Sequence, residues 1–216
     1  MLFSNIVGFV AAAFAATSMV SAAPSVGSGL SQKAQDLTTR DIDVGAALAV
    51  NIDAGACGGL GGVLVDLKVA IHDACSPLLS IGAGAEVELG VVVDVHAKVV
   101  AALKVAIDAC NKIAAGGAVS VSLTVVLAVV AEICAILQIL VAVLAKLTCG
   151  CVAAELAALV VEVDALLAAL LKVVLTIVGG LAANLIGALV GALHLVGCLD
   201  IFVALKFVAT LGVFGL

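Results

Sequence analysis

Cysteine is the residue type in this sequence with the clearest capacity for chemistry. The chain has seven: Cys57, Cys75, Cys110, Cys134, Cys149, Cys151 and Cys198. Cys149 and Cys151 are separated by one glycine, so they form neither a Cys-x-x-Cys redox motif nor part of a zinc pattern. We therefore interpret the cysteines as candidates for disulfides, with at least one thiol left free or paired between chains because seven is odd. The alternative is that some are small buried hydrophobic residues.

The other reactive side chains form no catalytic pattern. The three histidines, His72, His96 and His194, lie in separate segments without metal-ligand spacing. His72 is followed by Asp73, but neighbours in a helix point to different faces, so we expect no acid–base pair. Glu162 and Asp164 diverge for the same reason. The sequence also lacks a phosphate-binding glycine loop and a nucleophile elbow, so we expect no enzymatic activity, no cofactor and no metal.

The N-terminal residues have the features of a secretory signal. An apolar core, FVAAAFAA, precedes small residues that suit cleavage after Ala22. A polar and glycine-rich stretch follows and contains the only arginine of the chain. The sequence therefore predicts three regions: a signal peptide at 1–22, a flexible, disordered leader at 23–60 and a hydrophobic helical domain at 61–216. Secretion favours disulfides, because extracellular compartments are oxidising.

The composition is far from that of an average soluble protein. Hydrophobic residues make up 65% of the chain, charged residues 11%, and the mean hydropathy is +1.42. Average soluble domains are about 45–50% apolar and about 25% charged. Membrane proteins usually place Trp and Tyr at the headgroup level, and this chain has neither. The net charge of −6 argues against nucleic acid and anionic lipid surfaces as partners.

Regular breaks divide the hydrophobic part into long segments. The breaks lie at 76–85, 114–117, 148–151 and 179–180, and most of the segments between them are about 28–33 residues long. Such lengths are typical of helices and far too long for strands, although 119–130 (VSVSLTVVLAVV) could also be a strand. The sequence predicts an all-α fold, an up-down bundle of about four to five long, very apolar helices.

Two of the segments share a motif. LKVAIHDAC at 67–75 returns as LKVAIDAC at 103–110, which indicates duplication of a helical unit. We interpret Leu and Val as its apolar side, Lys and Asp as its solvent-facing side, and Cys as a cross-link at its end. In the segment 86–113, a helical projection places four charged residues in one stripe: Asp94, Lys98, Asp108 and Lys112.

An up-down bundle brings particular cysteines to the same level. Cys57 and Cys110 lie at one end, Cys75 lies at the other end with Cys149 and Cys151, and Cys134 and Cys198 lie at equal depth. These levels suggest disulfides Cys57–Cys110, Cys134–Cys198, and Cys75 with either Cys149 or Cys151. Matching levels are necessary but not sufficient, because a disulfide requires Cα atoms within about 7 Å.

The plan of the chain resembles that of small secreted hyphal-surface proteins of mushroom-forming fungi. The shared features are a short leader after a signal peptide and a cysteine-bearing body of Ala, Val, Leu and Gly. Hydrophobins are different, because they have eight cysteines with two adjacent Cys-Cys pairs. The resemblance implies a coating role at the cell wall or an air interface, and it transfers no functional residue.

We expect a secreted, non-enzymatic, surface-active structural protein. Its partners would be cell-wall polymer, lipid, an air–water interface or further copies of itself. An integral membrane protein is the main alternative, with three or four spans at 86–113, 119–147, 152–178 and 181–212. Four acidic residues inside those spans argue against it: Glu132, Glu162, Asp164 and Asp200. A third reading is a soluble helical protein that encloses a lipid.

Overall fold

The computed structural model describes residues 59–81, 87–117, 121–150, 153–195 and 197–216. Side chains at 148–150, 153–158 and 195 are outside the description. The predicted signal peptide and nearly all of the predicted leader lie outside the described residues. The same holds for Cys57, for Cys151 and for the side chain of Cys149.

The described part of the chain is helical and contains no strand, which confirms the all-α prediction. The helices are α1 (Leu60–Leu79), α2 (Leu89–Ala115), α3 (Leu123–Gly150), α4 (Ala153–Val178), α5 (Ala182–Leu195), α6 (Cys198–Ala204) and α7 (Val208–Phe214). A short 3₁₀ turn, Gly179–Leu181, joins α4 to α5. The strand alternative for 119–130 is wrong, because α3 already begins at Leu123.

The last segment differs from its prediction. One helix across 181–212 was expected, but the chain turns twice there and forms α5, α6 and α7. Gly197 precedes α6 with φ 72°, and Lys206 lies between α6 and α7 with φ 58°. Both values are in the left-handed region, which a continuous right-handed helix excludes. The prediction was wrong because no glycine or proline marks the second turn.

The extensive contacts among the four long helices join α1 to α2 and α3, and α2 to α4, whereas α3 and α4 share few contacts. Helices α5 and α6 cover α3, while α7 packs on α4. The core-facing side of α1 shows why the sequence folds in this way: its buried residues recur every three or four positions. They include Leu60, Leu64, Leu67, Ile71, Cys75 and Leu78.

Within the described residues, two segments are long and apolar enough to cross a membrane, by length and composition alone. They are Leu123–Leu147, within α3, and Leu159–His194, which runs through α4 and α5. In the first segment, 72% of an apolar 18-residue stretch is buried inside the protein. In the second segment, only 39% of such a stretch is buried. Helix α3 therefore has the surroundings of a core helix, whereas the second segment leaves much of its surface uncovered.

A buried ion pair joins α1 to α3. Lys68 Nζ lies 2.9 Å from Glu132 Oε2, and the side chains are 1% and 0% exposed. The contact is short but poorly directed, since neither carboxylate oxygen gains a hydrogen bond of acceptable geometry within the described residues. Removing one member of such a pair leaves a buried charge without compensation, which typically costs about 3–5 kcal/mol.

This pair corrects the interpretation of the repeated motif. Both lysines were predicted to face solvent, but Lys68 is buried while Lys104 is exposed. The reason is that Lys68 lies on the side of α1 that packs against α3, where it meets the buried Glu132, whereas Lys104 meets Glu162 at the exposed edge between α2 and α4.

The leucines of the motif are buried and Asp73 and Asp108 are exposed, as predicted. The valines Val69 and Val105 are 44% and 69% exposed, so their assignment to the apolar side is wrong. Both motif cysteines are buried free thiols, and their role as cross-links stays a prediction.

Two further charged residues cap helices other than their own. Lys146 of α3 donates hydrogen bonds to the carbonyl oxygens of Leu79 and, at 2.9 Å, Ile81, at the end of α1. Asp164 of α4 accepts from the backbone N–H groups of Ala209 and Thr210, each at 2.8 Å, in the first turn of α7. A cation at a helix C-terminus and an anion at an N-terminus both match the helix dipole.

We predict that Lys68→Met lowers the free energy of unfolding by about 3–5 kcal/mol, because it leaves the Glu132 carboxylate buried without its counter-charge. The double variant Lys68→Met/Glu132→Leu should recover at least half of this loss, since it removes the uncompensated charge as well. Urea denaturation of Lys68→Met, Glu132→Leu and the double variant measures the coupling energy between the two residues.

Lys98→Met is the matched control, because Lys98 pairs with Asp94 at 2.7 Å on the exposed surface of α2. Exposed pairs contribute about 0–1 kcal/mol, so this variant should change stability little. Equal losses for Lys68→Met and Lys98→Met would contradict the structural role of the buried pair.

Candidate functional site

Helix α2 carries a charged face, as the helical projection predicted. Asp94, Lys98, Asp108 and Lys112 are all exposed. The Asp94 and Lys98 side chains form an ion pair across one turn, with Lys98 Nζ 2.7 Å from Asp94 Oδ2. The apolar side of α2 points inward, with Val92, Val95 and Val99 among its buried residues. This separation gives α2 one face for water and one for the core.

Glu162 of α4 lies between two basic side chains of α2. Its Oε2 is 3.4 Å from His96 Nε2, and its Oε1 is 3.5 Å from Lys104 Nζ. Glu162 was predicted to form no paired-carboxylate site with Asp164, and the two side chains indeed have different partners. Glu162 contacts α2, whereas Asp164 contacts α7, so each acid connects α4 to a different neighbour.

The part of the molecule from α5 to α7 has few charges. Helix α5 has no Asp, Glu, Lys or Arg, and only Asp200 and Lys206 carry charge beyond it. Exposed aliphatic side chains remain there, since Val203 is 58% exposed and Val208 72% exposed. In contrast, α1, α2 and the residue before α2 carry eight exposed charges among the described residues: Asp66, Asp73, Glu88, Asp94, Lys98, Lys104, Asp108 and Lys112. The charged and uncharged surfaces therefore belong to different helices.

A small apolar cavity lies where the four long helices meet. Its volume is about 40 Å³, and its lining includes Cys75 of α1, His96 of α2, Leu144 of α3 and Val163 of α4. One water molecule occupies about 30 Å³ in the liquid, whereas sites for drug-sized ligands measure about 300–1,000 Å³. The cavity is thus a packing defect with about the volume of one small molecule, which is too small for an acyl chain.

The cavity also brings a thiol and an imidazole together, but not as a catalytic pair. Burial raises the pKa of the Cys75 thiol to about 12, so the thiol stays protonated at neutral pH. A nucleophilic cysteine requires the thiolate. The described residues contain no group of three or more His, Cys, Asp and Glu side chains that could hold a metal ion.

The remaining histidines lie at the surface or near it. His194 is exposed at the end of α5. His72 Nδ1 comes within 3.5 Å of Asp73 Oδ1, so the expectation that these neighbours do not meet is wrong. Their contact is possible because both side chains bend along the solvent-facing surface, where Asp73 is 74% exposed.

The four described cysteines, Cys75, Cys110, Cys134 and Cys198, are buried free thiols. Burial raises the pKa of Cys110 to about 11 and that of Cys198 to about 12. Burial, with a further contribution from the neighbouring Cys198, also raises the pKa of Cys134. Cys134 and Cys198 lie on α3 and α6, which pack together. Cys75 shares the cavity with residues near the end of α3, the helix that contains Cys149. The predicted pairings remain predictions.

Sequence reasoning missed the residues that connect the helices. Lys68 was interpreted as solvent-facing, Asp164 only as an acid that diverges from Glu162 inside an apolar segment, and Lys146 was not singled out. Their partners are an acid on another helix or backbone groups at the ends of other helices, which no local pattern reveals. One signal was present: an isolated charge in a long apolar segment is rarely buried without a partner.

A scan against protein-family models, a search of curated proteins and a search of solved structures found no match to this chain. Conclusions about its function therefore depend on its own sequence and geometry.

We predict that Val163→Ile raises the free energy of unfolding by up to about 1 kcal/mol. The added methylene enters the cavity, and each Å³ of cavity costs about 24 cal/mol. Val174→Ile is the control on the same helix, because Val174 is 0% exposed and does not line the cavity. Overpacking there should destabilise by about 1–3 kcal/mol. Thermal and urea unfolding of both variants test this, and equal destabilisation would contradict the cavity.

Proposed function

We propose that the protein is a secreted, non-enzymatic, surface-active structural protein that coats a cell wall or an air–water interface. The observation that carries this proposal is the uneven distribution of exposed charge. Charges concentrate on α1 and α2, whereas α5 is uncharged and few charges follow it, while exposed aliphatic side chains occur on both parts, such as Val105 of α2 and Val208 of α7. A molecule of this kind lowers its free energy by turning its charged side to water and its charge-poor side to an apolar phase.

The energies involved are large enough for strong adsorption. Removal of apolar surface from water is worth about 25 cal/mol per Å², so about 400 Å² would contribute about 10 kcal/mol. The resemblance to hyphal-surface proteins of mushroom-forming fungi agrees with such a role. The signal peptide predicted at 1–22 supports an extracellular or cell-wall location.

The same proposal includes an up-down arrangement of the four long helices. Lys68 contacts Glu132, and Lys146 contacts the end of α1 at Leu79, so later positions in α1 meet later positions in α3. This order supports α1 and α3 running in the same direction. The connection between α1 and α2 is short, as expected for antiparallel neighbours.

Disulfides would make such a coat durable. Cys134 and Cys198 are buried on contacting helices, and Cys198 contributes, after burial, to the raised pKa of Cys134. A bond between them would close a loop of about 64 residues, which the chain-entropy model values at about 4 kcal/mol. Cys57–Cys110 and Cys75 with Cys149 or Cys151 are the further pairs that we propose.

An integral membrane protein is the second candidate, favoured by the two apolar segments of membrane-spanning length. The burial of most of α3 and its ion pair with α1 agree equally well with a water-soluble core helix. Resistance to carbonate extraction from membranes would favour this candidate, and recovery from culture medium or cell wall would favour the first. The lipid-enclosing reading gains no support from a cavity of about 40 Å³.

We predict that the purified full chain lowers the surface tension of water at micromolar concentration, measured on a pendant drop. The variant Ala183→Lys/Gly187→Lys places two charges on exposed positions of α5, and a side chain at Gly187 meets no atom within 4 Å. We expect it to need at least about tenfold more protein for the same effect, because charges resist transfer from water.

Ala97→Lys/Ala101→Lys is the matched control, since it adds the same charges with the same spacing at exposed positions of α2. This control should adsorb like the unmodified chain. A chain that leaves the surface tension unchanged, or equal effects of the two double variants, would contradict the proposal.

We also predict a Cys134–Cys198 cross-link in protein taken from its native extracellular source. Peptide mapping by mass spectrometry without reductant should show the joined peptides, and the joined species should disappear on reduction. Complete alkylation of both thiols in denaturant without reductant would rule this pair out.

A further inference from the structure

The turn between α6 and α7 has the geometry of a Schellman motif. Phe207 N donates to Phe202 O at 2.9 Å, and Lys206 N donates to Val203 O at 3.2 Å. These are the two backbone bonds that define the motif, and they place Lys206 at the position that adopts the left-handed conformation. Its φ is 58°.

Glycine is the usual residue at that position, because it has no Cβ to clash with the backbone. The same motif at the end of α7 has glycine at this position. Leu216 N donates to Leu211 O, Gly215 N donates to Gly212 O, and Gly215 has φ 77°. Lys206 is the positive-φ residue other than glycine among the described residues. The α6–α7 turn therefore keeps a lysine where glycine would be less strained.

Several contacts hold this strained turn in place. The rings of Phe202 and Phe207 meet edge to face, with centroids 4.7 Å apart, and both side chains are 0% exposed. Val208 N donates to Lys206 O at 2.8 Å, which tightens the chain before α7. Asp164 then caps α7 from the neighbouring helix α4. The turn is anchored on its inner side by buried groups.

Three exposed side chains, two valines and the lysine, lie within six positions at the turn. Val203 is 58% exposed and Val208 is 72% exposed, and Lys206 between them is exposed as well. Lys206 forms no ion pair among the described residues. We call Val203, Lys206 and Val208 the tip. A cation flanked by aliphatic side chains matches the boundary of a lipid bilayer, where phosphates lie beside acyl chains.

We propose that the tip docks on the surface of a zwitterionic phospholipid bilayer, with Lys206 at the lipid phosphate and the two valines in the acyl boundary. This inference rests on the proposed surface-active function and names the part of the molecule that enters the apolar phase. Zwitterionic lipid fits better than anionic lipid, because the net charge of −6 repels an anionic surface from a distance.

The test is flotation of the full chain with phosphatidylcholine vesicles. The variant Val203→Ser/Val208→Ser should lower vesicle affinity at least about tenfold, because burial of one valine side chain alone can be worth that factor. Lys206→Gly should lower affinity severalfold and raise the melting temperature, since it removes the ammonium and relieves the turn. Phosphatidylglycerol vesicles should bind the unmodified chain more weakly.

Val93→Ser/Val105→Ser is the matched control on α2, where the two valines are 54% and 69% exposed. It should bind phosphatidylcholine vesicles like the unmodified chain. No binding by the unmodified chain, or equal losses in the tip and control variants, would overturn the inference. A tip variant that changes the oligomeric state in sedimentation but keeps its vesicle affinity would also overturn it, because the tip would then contact a second copy.

Surface tension measured on the same samples separates the two proposals. If the unmodified chain lowers surface tension but the tip variant binds vesicles as strongly as the unmodified chain, the role of the tip is refuted. The proposed surface-active function is then unaffected. A chain without surface activity refutes that function directly.

Discussion

The buried ion pair between Lys68 and Glu132 is the contact on which the packing of the other helices depends. Ala, Val and Leu surfaces fit one another in several registers, because dispersion and burial are not directional. A buried charge that loses its partner costs several kcal/mol, so a register that separates these two residues is excluded. With α1 and α3 fixed in this way, α2 packs on α1 and α4 packs on α2.

Charged side chains also connect other pairs of helices. Lys146 connects α3 to the end of α1, Asp164 connects α4 to the start of α7, and Glu162 connects α4 to α2. Each contact uses one of the few charged residues that the apolar segments contain. The outer surfaces of α5, α6 and α7 carry mainly small and aliphatic residues, because α5 has no Asp, Glu, Lys or Arg and only Asp200 and Lys206 follow it. The proposed function depends on this charge-poor surface.

Local sequence patterns predicted some of these features and missed others. The projection of α2 identified its exposed charges, because position along a helix alone sets which residues share a face. The same reasoning placed Lys68 in solvent, since it did not account for the buried acid, Glu132, that α3 places against this side of α1. It also missed the turn at Lys206, where the buried contact between Phe202 and Phe207 and the cap from Asp164 stabilise a conformation that lysine alone disfavours.

The sequence by itself determined the all-α class, the positions of the main helix breaks and the charged face of α2, because hydrophobic period, segment length and glycine position act locally. Only the tertiary structure decided which charges are buried, which helix ends they cap and where valines remain exposed. These outcomes depend on contacts between residues about 45–68 positions apart, such as Asp164 with Thr210 and Lys146 with Leu79. No periodicity within one helix specifies its neighbour, because that choice is made by the packing of the whole chain.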